Sequence, residues 1–264
     1  MGNLKVIKRK AFLAVYPFFL HHRQIIMTVC RPITLMYAFY YRGNSNFCPC
    51  CKGHFRAFLP FGANQRPNAL CPGCFSLERH RMIWLYLQQR TNLFSAQIKM
   101  LHVAPEFIFQ RRFKAMKNLD YLSSDLRPTE AMVQMDITDI HLPDDTFDAI
   151  YCSHVFEHIP DDRKAMRELC RVLKPGGWAV LQVPLDHNME KTHEGTDDMT
   201  GIDREKHFGH HDHQRLYGLD YKDRLEEAGF QVRVDQFGLE FDPLEAKRLG
   251  FIAYEAIYYC TKPG

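Results

Sequence analysis

The chain has 264 residues, 46% of them hydrophobic and 25% charged, with 15 Gly and 14 Pro. Those proportions exclude a collagen, a low-complexity disordered chain and a pure coiled coil, and the length suffices for one large α/β domain with a small appendage. The net charge of +3 hides an asymmetry: residues 1–77 hold ten Lys or Arg and no Asp or Glu, Glu78 is the first acid, and the remainder therefore carries −7. An acid-free basic segment points either to an anionic partner, RNA or a lipid surface, or to docking on the acidic remainder of its own chain.

Residues 1–46 read as a basic, aromatic-rich segment. Lys5, Lys8, Arg9 and Lys10 precede an apolar stretch, Ala11 to Leu20, broken by Pro17. A second apolar stretch runs from Ile25 to Tyr41 around Arg31 and Pro32. Neither reaches the ~20 apolar residues of a bilayer crossing, so no transmembrane segment is expected. The start resembles the charged and apolar parts of a secretory signal, without an obvious small-residue cleavage site. Val6 stands where a myristoylation motif needs Ser or Thr. Such a segment suits an anionic membrane surface or a place against the body of the protein.

Nine cysteines follow an uneven distribution, five of them between positions 48 and 74. An odd, clustered set does not read as a secreted disulfide framework. It predicts a reducing compartment, the cytoplasm, with peripheral contact at a membrane surface as the variant. Cys48 and Cys51 form one Cys-x-x-Cys pair and Cys71 and Cys74 another, with nineteen residues between them. That spacing predicts a zinc-ribbon-like module over 47–80. Four thiolates leave no open coordination position, so the expected Zn2+ is structural. Gly73 is read as permitting the second turn, and Phe55, Phe58 and Phe61 as a minimal core. A unit this small takes most of its folding energy from the metal. Cys50 competes with Cys51 as a ligand, although it lies too close to Cys48 for the usual loop.

From 96 to 264 the pattern alternates. Strands are expected at Ile98 to Val103, Leu119 to Ser123, Ala131 to Met135, Phe147 to Cys152, Trp178 to Val183 and Phe230 to Asp235. Helices are expected at Phe107 to Met116, Asp161 to Leu173 and Tyr221 to Ala228. Lys174-Pro175-Gly176-Gly177 stops the second helix and Gly229 the third. The last apolar run is Ile252 to Cys260. Alternation of this kind implies a largely parallel sheet covered on both faces, with ligands at the carboxyl ends of its strands.

The run Phe147-Asp148-Ala149-Ile150-Tyr151-Cys152-Ser153-His154-Val155-Phe156-Glu157-His158-Ile159, followed by Arg167-Glu168-Leu169-Cys170-Arg171-Val172-Leu173-Lys174-Pro175-Gly176-Gly177, resembles the class I S-adenosylmethionine-dependent methyltransferases. Within them it is similar to the methyltransferase-11-like branch, over about residues 96 to 235. The resemblance implies a Rossmann-like seven-stranded α/β sheet whose final strand is antiparallel. It implies S-adenosylmethionine as cofactor, with His102, Ala104 and Glu106 at the first turn. There the usual glycines are replaced by Ala104-Pro105, as in a subset of the family. Glu106 either faces the cofactor's amino group or serves as a first-turn helix acid. Asp125 ends the second strand, where a carboxylate suits a ribose diol. Asp120 lies at that strand's wrong end. The resemblance puts Asp136 on the adenine amino group and Ile137 over the ring, with a turn-forming role for Asp136 as the alternative. Ser153 and His154 line the methyl-donor end.

Nothing in the sequence singles out one acceptor atom. Six of the fourteen histidines lie between 187 and 213. The run His207 to Tyr217 falls on the acceptor side of the resemblance. It offers a base near neutral pH, a second metal site from His and Asp, or a polar surface loop. His158 is a further candidate. Three functions follow: methyl transfer to a small-molecule, glycan or lipid-linked acceptor; methylation of RNA held by the basic N-terminal part, since certain ribosomal RNA guanine methyltransferases place a cysteine zinc module before this fold; or a non-catalytic, zinc-dependent interaction protein with a degenerate cofactor site.

Overall fold

The computed structural model describes residues 31–62, 65–128 and 131–264. The stretch Ala11 to Leu20 and the beginning of the second apolar stretch lie outside the described residues. Among the described residues no helix is long and apolar enough to cross a membrane. The chain divides into two compact units, Met1–Trp84 with Pro243–Phe251, and Leu85–Asp242 with Ile252–Gly264.

The first unit contains α1 (Arg31–Tyr40), β1 (Arg42–Cys48) paired antiparallel to β2 (Gly53–Phe55), and the hairpin of β3 (Leu59–Phe61) with β4 (Arg66–Leu70). Phe55 and Phe58 are buried between these ribbons, their ring centroids 6.1 Å apart, while Phe61 is only half-buried. Such short strands cannot bury enough apolar surface to hold themselves. A buried cation supplies part of the remedy. Arg81, at the start of α2 (Glu78–Arg90), is wholly buried. Its guanidinium donates to Ser76 O at 2.7 Å, to Leu249 O at 2.9 Å and to Gly250 O, and it lies over the Phe58 ring at 4.2 Å. Side-chain amides continue the join: Asn68 Nδ2 donates to Lys247 O at 3.3 Å. The segment Pro243–Phe251 is thereby tied back to a part of the chain more than 160 residues earlier.

The second unit is a seven-stranded sheet. Its elements are β5 (Ile98–Val103), α3 (Phe107–Lys114), β6 (Leu119–Asp125), β7 (Val133–Gln134), β8 (Phe147–Ser153), α4 (Asp162–Val172), β9 (Leu173–Gln182), the short ribbon of β10 (His193–Glu194) and β11 (Arg215–Leu216), α5 (Gly201–Phe208), α6 (Tyr221–Glu227), β12 (Gln231–Asp235) and β13 (Ile257–Thr261). The spatial order is β12-β13-β9-β8-β5-β6-β7, and β13 alone runs against the rest. This is the Rossmann-like α/β arrangement with an antiparallel last strand. β5 and β8 are buried almost throughout, as a parallel strand covered on both faces requires. α4 turns Ala165, Met166, Leu169 and Cys170 inward, and the Asp161 carboxylate caps it by accepting from Lys164 N at 2.9 Å.

Three boundaries differ from the sequence expectation. The stretch Ala131 to Met135 forms only a two-residue strand at the sheet edge. β9 begins at Leu173, because Leu173 pairs with Phe147 before Lys174–Gly177 bulges out and Trp178 pairs with Ala149. In the last apolar run only Ile257 onward joins the sheet.

Replacing Arg81 with Ala removes the donors of three buried carbonyls. The expected loss is about 3 kcal/mol of first-unit stability. Urea unfolding followed by Trp84 fluorescence in a Trp178→Phe background measures it; an unchanged midpoint contradicts this role.

Candidate functional site

β5 and β8 are neighbours at the centre of the sheet, and the chain leaves them in opposite directions, through β6 on one side and β9 on the other. A reversal of strand order opens a crevice at the carboxyl edge. Val103 pairs with Ser124 and with Cys152, so Ala104, Asp125 and Ser153 emerge level at that edge.

Two residues with side chains hold left-handed backbone there, Ala104 at φ +45° and His154 at φ +57°. Each is pinned by its own amide. Ala104 N donates to Ser124 O at 2.7 Å, and His154 N donates to Gln182 O at 2.8 Å. The conformation costs about 1–2 kcal/mol for an L-residue and persists only where the surroundings enforce it. Ala104 occupies the turn for which the resemblance leads one to expect glycine, and it adopts a backbone that glycine takes freely. The replacement therefore keeps the turn's path and adds one methyl group.

Carboxylates surround these turns. Glu106 is the residue before α3, yet it makes no side-chain cap; its Oε2 accepts from the hydroxyl of buried Tyr151 at 2.8 Å. Asp125, half-buried at the end of β6, accepts from Arg127 N at 3.0 Å through Oδ1. Asp120 is exposed at the opposite end of the strand. Asp136 is exposed, and its Oδ1 accepts from both the amide and the hydroxyl of Thr138 at 2.8 Å, the geometry of a turn-forming acid; Ile137 beside it is buried. Ser153 is buried, and His154 is partly open to solvent.

His102 is placed differently from these residues. Its side chain is wholly enclosed behind the turn, with Nδ1 2.9 Å from Tyr121 Oη and the rings of Tyr151 and Phe113 at 5.0 and 5.7 Å. Burial holds its pKa down to about 4, against a smaller opposing pull from Glu106.

Sequence reasoning missed Glu157, Tyr151 and Arg215. Glu157 lies in the 3-10 turn Phe156–His158, is 1% exposed, and has Oε1 3.3 Å from His154 Nδ1. Its only sequence signal is an acid following the apolar pair Val155-Phe156. Buried Arg215 donates to Phe156 O at 2.8 Å, Ile159 O at 2.6 Å and Pro160 O at 2.7 Å, and pairs with Glu194 at 2.8 Å. It fixes the turn after β8 to the segment that begins β11. The histidine run starts within α5, which Thr200 and Asp203 cap reciprocally. Beyond the carboxyl end of β9 lies an open cleft of about 670 Å³, lined by Pro184, Leu185, Asp186, His187, Leu216 and Tyr254 among others.

In the first unit the four cysteines Cys48, Cys51, Cys71 and Cys74 converge, with every sulfur within 4.8 Å of the others. Cys48 and Cys74 approach to 3.6 Å, and Cys51 and Cys71 to 3.7 Å, with all four sulfurs unbridged. The two Cys-x-x-Cys turns repeat one geometry. Lys52 N donates to Cys48 O at 2.8 Å and Phe75 N to Cys71 O at 2.9 Å, and Lys52 and Phe75 both have φ +59°. Gly73 has no left-handed backbone; it is needed for room, because a Cβ there would meet the Phe55 ring at 2.7 Å. Cys50 stands apart, its thiol directed to His80 O at 3.6 Å.

Residues 88–181 match the methyltransferase domain family. The chain is 45% identical over 49 residues to a demethylmenaquinone methyltransferase of Clavibacter sepedonicus, a match covering 19% of this chain and 20% of that protein. It is 47% identical over 55 residues to methyltransferase GfsG of Streptomyces halstedii, 20% of each. The chain thus spans about a fifth of the length of these curated relatives. Among solved structures it is similar to a chain of the complex between the Haloferax volcanii Trm112 methyltransferase activator and the putative methyltransferase. That likeness has a TM-score of 0.51 at 15% identity, covers 70% of this chain and 91% of that one, and shows a shared fold.

The enclosed imidazole makes a pH prediction. Above its ordinary value of 6.5 both folded and unfolded His102 are neutral; as pH falls, the unfolded chain takes up a proton that the folded chain refuses until about 4. Stability is therefore lost between those limits, by about 3 kcal/mol. The stability difference between wild type and His102→Asn should shrink by that amount from pH 7 to pH 4; parallel curves would contradict the assignment.

Proposed function

We propose that residues 88–181, which match the methyltransferase domain family, form a methyltransferase domain of the S-adenosylmethionine-dependent class. It transfers a methyl group from S-adenosylmethionine to a small-molecule, glycan or lipid-linked acceptor. The observation that carries this proposal is the pair of left-handed backbones at Ala104 and His154, side by side where strand order reverses, with Asp125 and Glu106 beside them.

When bound, the cofactor supplies an electrophilic methyl carbon, which an acceptor atom attacks in line as the sulfur departs as a neutral thioether. The residues present fit this group. The two oxygens of Asp125 suit the ribose diol. Glu106, oriented by the Tyr151 hydroxyl at 2.8 Å, offers a carboxylate to the cationic amino group. Asp136 and Ile137 receive the adenine, and Ala104, Ser153 and His154 line the methyl-donor end. His102 supports the first turn from behind. With Glu157 Oε1 3.3 Å from its Nδ1, the His154 imidazole is the base that takes a proton from an acceptor that must lose one. The cleft beyond β9 combines Leu185, Leu216 and Tyr254 with Asp186 and His187, a lining suited to an organic acceptor of moderate size.

The four cysteines fit a structural zinc ion. Zinc–sulfur bonds of about 2.3 Å in a tetrahedron need sulfurs ~3.8 Å apart, close to the observed 3.6 and 3.7 Å. Four thiolates in this space also need a cation to neutralise them.

Three measurements test these assignments. Calorimetry with S-adenosylmethionine should show Asp125→Ala binding about 10–100-fold more weakly than wild type, with Asp120→Ala within twofold; equal effects would overturn the strand-end assignment. Cobalt substitution should give intense thiolate-to-metal charge-transfer absorption that Cys71→Ser abolishes. A chelator should also unfold the first unit; a melting curve indifferent to the chelator would exclude a structural metal there.

A further inference from the structure

We infer that Glu157, His158 and His213 form a second metal site, for a divalent transition ion of the zinc, cobalt or nickel kind. One ligand atom from each lies within 4.8 Å of the other two. Tetrahedral bonds of about 2.0–2.1 Å require separations of roughly 3.3 Å, which small side-chain rotations reach.

Three independent features prepare these donors. Glu157 is 1% exposed, and its Oε2 has no hydrogen-bond partner among the described residues, although Oε1 is engaged by His154. A buried carboxylate oxygen left unpaired is costly unless a cation or donor meets it. His213 Nδ1 lies 2.9 Å from Phe208 O, and a carbonyl can only accept, so Nδ1 carries the proton and Nε2 keeps its lone pair. His158 Nδ1 lies 3.0 Å from Asp212 Oδ1, the oxygen that His210 Nδ1 also meets, so a carboxylate stands beside the second ring as well. A ligating histidine that gives its other N–H to a carboxylate or carbonyl is the usual outer support of a metal ion.

The scaffold is rigid across a long sequence separation. Gln214 N donates to Glu157 O at 2.6 Å, and Arg215 binds the carbonyls of Phe156, Ile159 and Pro160. The turn after β8 and the segment before β11 are thus held together on both sides of the three donors. Two imidazoles and one carboxylate favour a borderline transition ion over magnesium or calcium. Three protein ligands leave a position for water or for an acceptor oxygen, unlike the closed cysteine cluster.

The test uses the full chain and does not depend on methyl transfer. Elemental analysis should find two bound metals per chain, one lost in His213→Gln and in Glu157→Gln with the fold retained by circular dichroism. Cobalt(II) titration of wild type should give a second, weak d–d spectrum without thiolate charge transfer. Asp212→Asn should weaken that second cobalt roughly 10–100-fold, while Cys71→Ser leaves it in place. Should Glu157→Gln misfold, His213→Gln and the wild-type titration still decide. A single metal per chain, abolished by the cysteine variant, with no thiolate-free cobalt spectrum, overturns the site.

Discussion

At the carboxyl ends of β5 and β8, Ala104 and His154 are bent into left-handed backbone, at φ +45° and +57°. Each pays for that bend with local strain, and each is held in it by a hydrogen bond from its own amide to the neighbouring strand. Everything proposed for the second unit depends on those two turns. They lie at the ends of adjacent strands, with Asp125 at the end of β6, Glu106 before α3 and Glu157 in the turn after β8. The large buried core beneath, from Leu101 and Ile150 to Tyr221 and Tyr258, supplies the rigidity that keeps the strain in place.

The two units reach stability by different routes. The sheet unit buries a continuous apolar core. The first unit has two short ribbons, where four cysteine sulfurs converge and Arg81 reaches the carbonyls of Leu249 and Gly250. Both polar devices join segments far apart in sequence. A histidine-rich cluster does the same in the sheet unit, where Arg215 and the Gln214 amide bind the turn that carries Glu157 and His158.

Much of this was legible in the sequence, because the readable features are local. Apolar runs marked β5, β6 and β8 to within a residue or two, and the Cys-x-x-Cys spacing marked the sulfurs that converge. Asp125 and Asp120 could be sorted by strand end alone. What stayed hidden was set by tertiary contact. The edge strand at Val133–Gln134 is short because it pairs only at the end of β6. The resemblance put His102 against the cofactor, but β5 is buried around it and its ring packs among aromatic side chains. Gly73 suggests a left-handed turn, yet its role is to make room for the Phe55 ring. Glu157 and His213 are 56 positions apart, and no spacing rule links them.

The most direct measurement is a crystal structure of the full chain with S-adenosylhomocysteine. The ribose hydroxyls should lie within hydrogen-bond distance of the Asp125 carboxylate, with Ala104 and His154 still left-handed beside the sulfur. A nucleoside bound elsewhere on the chain, or an Asp125 carboxylate turned away from the sugar, would contradict the proposed cofactor site.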